Sequence, residues 1–92
     1  MKDIVRQAKF KADWKRIHRS GKIKEADTNE ILHVILFLTS GKPLPAKYRD
    51  HSLTCNWKGY RDCHVKPDLV LIYKMSASEL VLARIGSHSE LF

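Results

Sequence analysis

Cysteine is scarce in this sequence: only Cys55 and Cys63 occur, so at most one disulfide can form and a disulfide-stapled secreted scaffold is excluded. With 4 glycines and 3 prolines in 92 residues, the chain is neither collagen-like nor a low-complexity linker. Apolar runs stop at five residues, as in Val34 to Leu38, far below the roughly 20 that a membrane-spanning helix needs. Met1-Lys2-Asp3 opens no secretory signal, so the expected location is the cytoplasm, with both thiols reduced. Also missing are a glycine-rich phosphate loop, a nucleophile elbow, and Cys or His pairs at zinc spacing. Their absence removes most nucleotide-binding, esterase and structural-zinc classes, and no metal or cofactor is expected.

What is present describes one small globular domain over residues 1–92, 43% hydrophobic and 29% charged. The net charge is +7, and its placement says more than its size. Residues 1–24 carry nine Lys or Arg against Asp3 and Asp13, which accounts for all +7; the remainder has eight basic and eight acidic residues. A basic end on a neutral body points to a polyanionic partner, because clustered Lys and Arg release phosphate counterions on binding nucleic acid. The plain alternative is a solvated helix face. Within the segment, Lys9, Lys11, Lys15, Arg16 and Arg19 interleave with Phe10, Trp14 and Ile17 at helical spacing.

Periodicity gives an order of elements. Asp3 to Gln7 permits a brief strand at a sheet edge; an amphipathic helix runs from Ala8 until Gly21 ends it. Asp27 or Thr28 is expected to cap a second helix carrying Ile31, Leu32, Ile35, Leu36 and Leu38, which Gly41, Pro43 and Pro45 stop. After a loop to about Asp50 the period changes to two: Trp57 to Val65, Leu69 to Met75 and Glu79 to Gly86 read as an antiparallel meander. Leu69 to Tyr73 is apolar on both faces, as a central strand is. Two helices ahead of these strands make an α+β fold of two layers, the helices packed on an antiparallel sheet. Trp14, Trp57 and Tyr73 are expected in the core.

Strand alternation also sorts the chemistry. Tyr60, Asp62 and His64 share one face of their strand, and Arg61, Cys63 and Val65 share the other. If the last strand stays regular to its end, Leu80, Leu82, Arg84, Gly86 and His88 also share a face. An Asp/His face and an Arg/His face can then converge, with Asp68 at the turn between strands and His51 ahead of them. Such a set suits metal-free RNA cleavage, in which the 2′-oxygen loses a proton, the 5′-oxygen gains one and the phosphate needs a cation. His18 and His33 lie on the helices and look incidental. A zinc site from His51, Cys55, Cys63 and His64 has suitable ligand types, but adjacent Cys63 and His64 point to opposite faces. Arg61, sharing its face with Cys63 and Val65, reads more simply as half of a structural ion pair.

The blocks PLPAKYRDHSL (from Pro43), WKGYRDCHVKPDLVLIYK (from Trp57) and LARIGSHSELF (to Phe92) closely resemble the YafQ-type toxins of the RelE/ParE superfamily of bacterial toxin–antitoxin systems. The resemblance implies a RelE-like microbial ribonuclease fold. It also implies a metal-independent endoribonuclease that cuts mRNA in the ribosomal A site and is silenced by a cognate, DinJ-like antitoxin. By position it implies His88 as general acid, Asp62 or His64 as base, His51 and Asp68 assisting, Arg84 stabilising charge, and Phe92 stacking on a base. Arg61 is a further substrate-binding candidate. Two departures stand out: Leu69 where the family pattern has an aromatic after the Pro-Asp pair, and Cys63 where it has a small residue. Two other readings belong to different classes, a ParE-like toxin that binds DNA gyrase without cutting RNA, and an RNA-binding module without activity. The basic N-terminal segment would meet ribosomal RNA. Charge reversal at Lys11, Lys15 and Arg19 is therefore expected to weaken ribosome binding and flatten its salt dependence. Unchanged binding in a sedimentation assay across salt concentrations would contradict this.

Overall fold

The computed structural model describes residues 1–92 as β1 (Asp3–Arg6), α1 (Ala8–Arg19), α2 (Glu25–Thr39), β2 (His51–Ser52), β3 (Arg61–Lys66), β4 (Leu69–Met75), β5 (Glu79–Gly86) and α3 (His88–Leu91). The five strands form one sheet in the order β1-β5-β4-β3-β2. The meander β3-β4-β5 is antiparallel, as alternation predicts, and β2 adds antiparallel to β3 through His51 opposite Asp62. The edge strand differs from expectation: β1 runs parallel to β5, with Ile4 opposite Leu80. Because α1 and α2 lie between β1 and the meander in sequence, the chain crosses over the sheet and returns, a connection that a parallel pair requires.

One face of the sheet is covered by α1 and α2. Phe10, Ile17, Ile31, Val34, Ile35 and Leu38 from the helices pack on Cys63, Leu71, Tyr73, Leu80, Leu82 and Ile85. Each fully buried Leu or Ile contributes about 1.5–3 kcal/mol, so this cluster supplies most of the apolar stabilisation. The opposite face is thinly covered: Val70, Ile72 and Ala83 pack under Leu91 of α3, with half-buried Leu53, Trp57 and Tyr60 beside them. β4 thus has apolar neighbours on both sides. Tyr73 lies in the helix-side core as expected and Trp14 packs against it, whereas Trp57 belongs to the smaller cluster.

Four boundaries depart from the periodicity. α2 starts at Glu25, not after an Asp27 or Thr28 cap; Asp27 instead sits in the first turn and its Oδ2 accepts the Lys24 N–H at 3.1 Å. β3 begins at Arg61 because the chain before it turns, with Cys55 (φ 55°) and Gly59 (φ 92°) in left-handed conformation. β5 carries a bulge: Tyr73 faces Leu82 but Ile72 faces Arg84, leaving Ala83 as the extra residue. Finally, β5 does not run on to His88. Ser87 stops it and caps α3, its N–H donating to Glu90 Oε1 at 2.9 Å while Oγ accepts the Glu90 N–H at 3.3 Å. His18 is a helix-to-helix link, bonded to the Trp14 carbonyl and to Thr28 Oγ1, each at 2.8 Å.

Candidate active site

The candidate residues assemble on the thinly covered face. Cross-strand register sets His51, Asp62, Ile72 and Arg84 in one row across β2, β3, β4 and β5, and His64, Val70 and Gly86 in the next. The bulge at Ala83 is what brings Arg84 into the first row; in a regular strand it would share the helix-side face with Leu80 and Leu82. α3 then carries His88 over the sheet, anchored by buried Leu91. The three imidazoles and the terminal ring form a chain, with centroids 6.4 Å apart for His51–His64, 5.0 Å for His64–His88 and 5.8 Å for His88–Phe92. His51 and His88 are open to solvent, with 57% and 52% of their side chains exposed, so an RNA backbone can reach them.

Beneath the rings lies Asp62, only 2% exposed, whose Oδ1 makes no hydrogen bond within the protein. His51 Nδ1 is 3.0 Å from that oxygen, but its hydrogen bond runs to the Arg49 carbonyl, also at 3.0 Å. A carbonyl only accepts, so Nδ1 carries a proton and Nε2 of the neutral ring is the open nitrogen. Arg49 has φ 49°, a left-handed conformation uncommon for a side-chain-bearing residue, which aims its carbonyl at His51. Burial pushes the Asp62 carboxyl above its usual value; the neighbouring His51, His64 and His88, when charged, oppose that shift without cancelling it. An under-solvated carboxylate among three imidazoles can take up a proton and pass it on.

Asp68, at the β3–β4 turn, tethers α3: its Oδ1 accepts the His88 backbone N–H at 3.1 Å and lies 3.8 Å from His88 Nδ1. Arg84 is engaged from behind, Nε and Nη2 donating to Asp13 on α1 at 2.6 and 3.1 Å. Arg61 is not part of this face. It points to the helix side, where Nη2 donates to Asp50 Oδ2 at 3.3 Å and Tyr73 OH donates to Asp50 Oδ1 at 2.5 Å, so it forms the structural ion pair its strand face suggested. Cys63 lies on that same far side and is fully buried, which raises its thiol and separates it from His64, so the zinc grouping does not form. On α1, Lys9, Lys11, Lys15 and Arg19 are exposed. Arg16 is not a free cation: it is paired with Asp13 and Glu90. Sequence reasoning passed over Asp13, the one acid on α1, and Glu90, although Ser87-x-x-Glu90 is a readable capping spacing.

The family model described as bacterial toxin of type II toxin–antitoxin system, YafQ, matches residues 2–92. An mRNA interferase toxin YafQ of Escherichia coli strain B/BL21-DE3 is 40% identical over 92 residues, covering 99% of this chain and 96% of the relative. The crystal structure of YafQ from E. coli strain BL21(DE3) superposes with a TM-score of 0.89 at 39% identity, covering 100% of this chain and 99% of the other. The toxin chain in a crystal structure of the E. coli DinJ–YafQ complex is similar at TM-score 0.87 and 40% identity, with 100% and 99% coverage.

The raised Asp62 carboxyl has a measurable sign. The folded protein keeps this proton at pH values where the unfolded chain, at its usual 3.8, has lost it. The stabilising contribution is therefore complete below that value and is lost as pH rises through the raised one. Asp62→Asn does not titrate. Its stability relative to wild type should climb as pH rises above 3.8 in urea unfolding; a difference independent of pH would contradict the assignment.

Proposed function

The chain belongs to the YafQ family of toxins of bacterial type II toxin–antitoxin systems, and we propose on that premise that it is a ribosome-dependent endoribonuclease that cuts mRNA in the A site. The observation that carries this reading is the chain of His51, His64, His88 and Phe92 above buried Asp62. A pure binding surface has no use for three proton carriers over an under-solvated carboxylate.

In this reading Asp62 or His64 takes the proton of the 2′-hydroxyl as its oxygen attacks phosphorus. His88, held at the start of α3 by Asp68, gives a proton to the leaving 5′-oxygen. Arg84, its Nη1 left open by Asp13, faces the charge that builds on the phosphate oxygens. His51, fixed by the Arg49 carbonyl, supports the charge state of Asp62. Phe92, 56% exposed and beside His88, stacks on a base. The exposed Lys9, Lys11, Lys15 and Arg19 meet ribosomal RNA in the cytoplasm, and a DinJ-like antitoxin silences the toxin. No helix of the chain is long and apolar enough to cross a membrane.

Mapping of mRNA 5′ ends in a translating extract tests this. Wild type should cut within codons only when ribosomes are present, and His88→Ala should cut about 10² to 10⁴ more slowly. A protein that arrests growth but leaves mRNA intact would overturn the nuclease reading in favour of a gyrase-type binder.

A further inference from the structure

Asp13 is one of three buried polar residues and sits within the most basic stretch of the chain, only 2% exposed. Four donors converge on its carboxylate. Arg84 Nε and Nη2 approach at 2.6 and 3.1 Å, Arg16 Nη1 at 2.6 Å and the Ile85 backbone N–H at 3.1 Å. Arg16 extends the network, its Nε donating to Glu90 Oε2 at 3.1 Å and its Nη2 to the Ile85 carbonyl at 3.5 Å. Glu90 in turn accepts the N–H of Ser87, the cap of α3. A Cβ on Gly86 would stand 2.9 Å from both Arg16 Nη2 and Glu90 Oε1, so this ion pair packs directly against the glycine backbone of β5.

Stability alone is a poor reason for such a site, since a buried ion pair is often matched or bettered by apolar side chains of similar volume. What the arrangement does supply is geometry. Asp13 engages the Nε–Nη2 side of the Arg84 fork and leaves Nη1 without a protein hydrogen bond, while Arg16 and Glu90 connect the same carboxylate to the helix that starts with His88. Two guanidinium groups share the one carboxylate, so Arg84 is oriented without being fully neutralised. We propose that Asp13 is a positioning residue of the cleavage reaction, acting by setting the orientation of Arg84. The inference rests on the nuclease reading above and names a residue on α1, outside the row that does the chemistry.

The test is single-turnover cleavage on programmed ribosomes with wild type, Asp13→Asn, Asp13→Glu, Arg84→Ala and the Asp13→Asn/Arg84→Ala pair, each corrected for its folded fraction by circular dichroism. Asp13→Asn should lower the saturating rate by about 10- to 100-fold with the half-saturating concentration little changed, the signature of a misplaced catalytic group. In the Arg84→Ala background the same substitution should cost little more. Asp13→Glu keeps the charge and acceptors on a longer arm; it is expected to fold and to lose rate part-way. A wild-type saturating rate in folded Asp13→Asn or Asp13→Glu, or losses that multiply in the double variant, would overturn the proposal while leaving the nuclease reading standing. Wild type that leaves mRNA uncut would overturn both.

Discussion

A central strand with apolar side chains on both faces must be covered twice, and this chain has helix enough to cover it well only once. Leu71 and Tyr73 of β4 lie under α1 and α2, whereas Val70 and Ile72 are shielded only by Leu91 and the flanks of Leu53, Trp57 and Tyr60. Where that second cover runs out, polar groups stand on a rigid sheet floor beside bulk solvent. A buried strand is thus the base of the site, and the thinness of its cover provides access.

The same constraint sets the electrostatics. Asp62 is close enough to the floor to lose its water, yet His51, 3.0 Å from its Oδ1, stays open to solvent. Burial raises its carboxyl, while Asp13 shows the opposite balance. There too burial would raise the carboxyl, but hydrogen bonds from Arg84, Arg16 and the Ile85 N–H hold it below the usual range. One carboxyl is thus held above its usual range and the other below it, where it stays ionised and holds an arginine. Two buried acids, one on β3 and one on α1, are thereby set apart by which donors reach them.

Much of this was legible in the sequence because period two is a strong signal: it put Asp62 and His64 on one face and Cys63 and Val65 on the other, as found. His51, Asp68 and His88 were grouped with that face from their placement beside the strands, and the resemblance added their roles; the fold brings all three within reach of it. Alternation failed where the backbone leaves the pattern. The bulge at Ala83 moved Arg84 off the face of Leu80 and Leu82, and the capped turn at Ser87 replaced the strand end that was to carry His88. The parallel pairing of β1 depends on a crossover, which local periodicity does not encode. Asp13 was hidden because its partners Arg84 and Ile85 lie 71 and 72 residues away; the Arg16–Asp13 pair, three residues apart on one helix, was readable, and only the Glu90 partner of Arg16 was remote.

The central claim is that cleavage is acid–base transfer through the nucleotide's own 2′-oxygen, carried by His88 and the Asp62–His64 pair. The direct test is the chemistry of the cut ends, read by mass spectrometry of fragments from ribosome-bound mRNA. The account predicts a 5′-hydroxyl on one fragment and a 2′,3′-cyclic phosphate, or the 3′-phosphate it hydrolyses to, on the other. A 5′-phosphate with a 3′-hydroxyl would mean that water, not the 2′-oxygen, attacks phosphorus, and would contradict it.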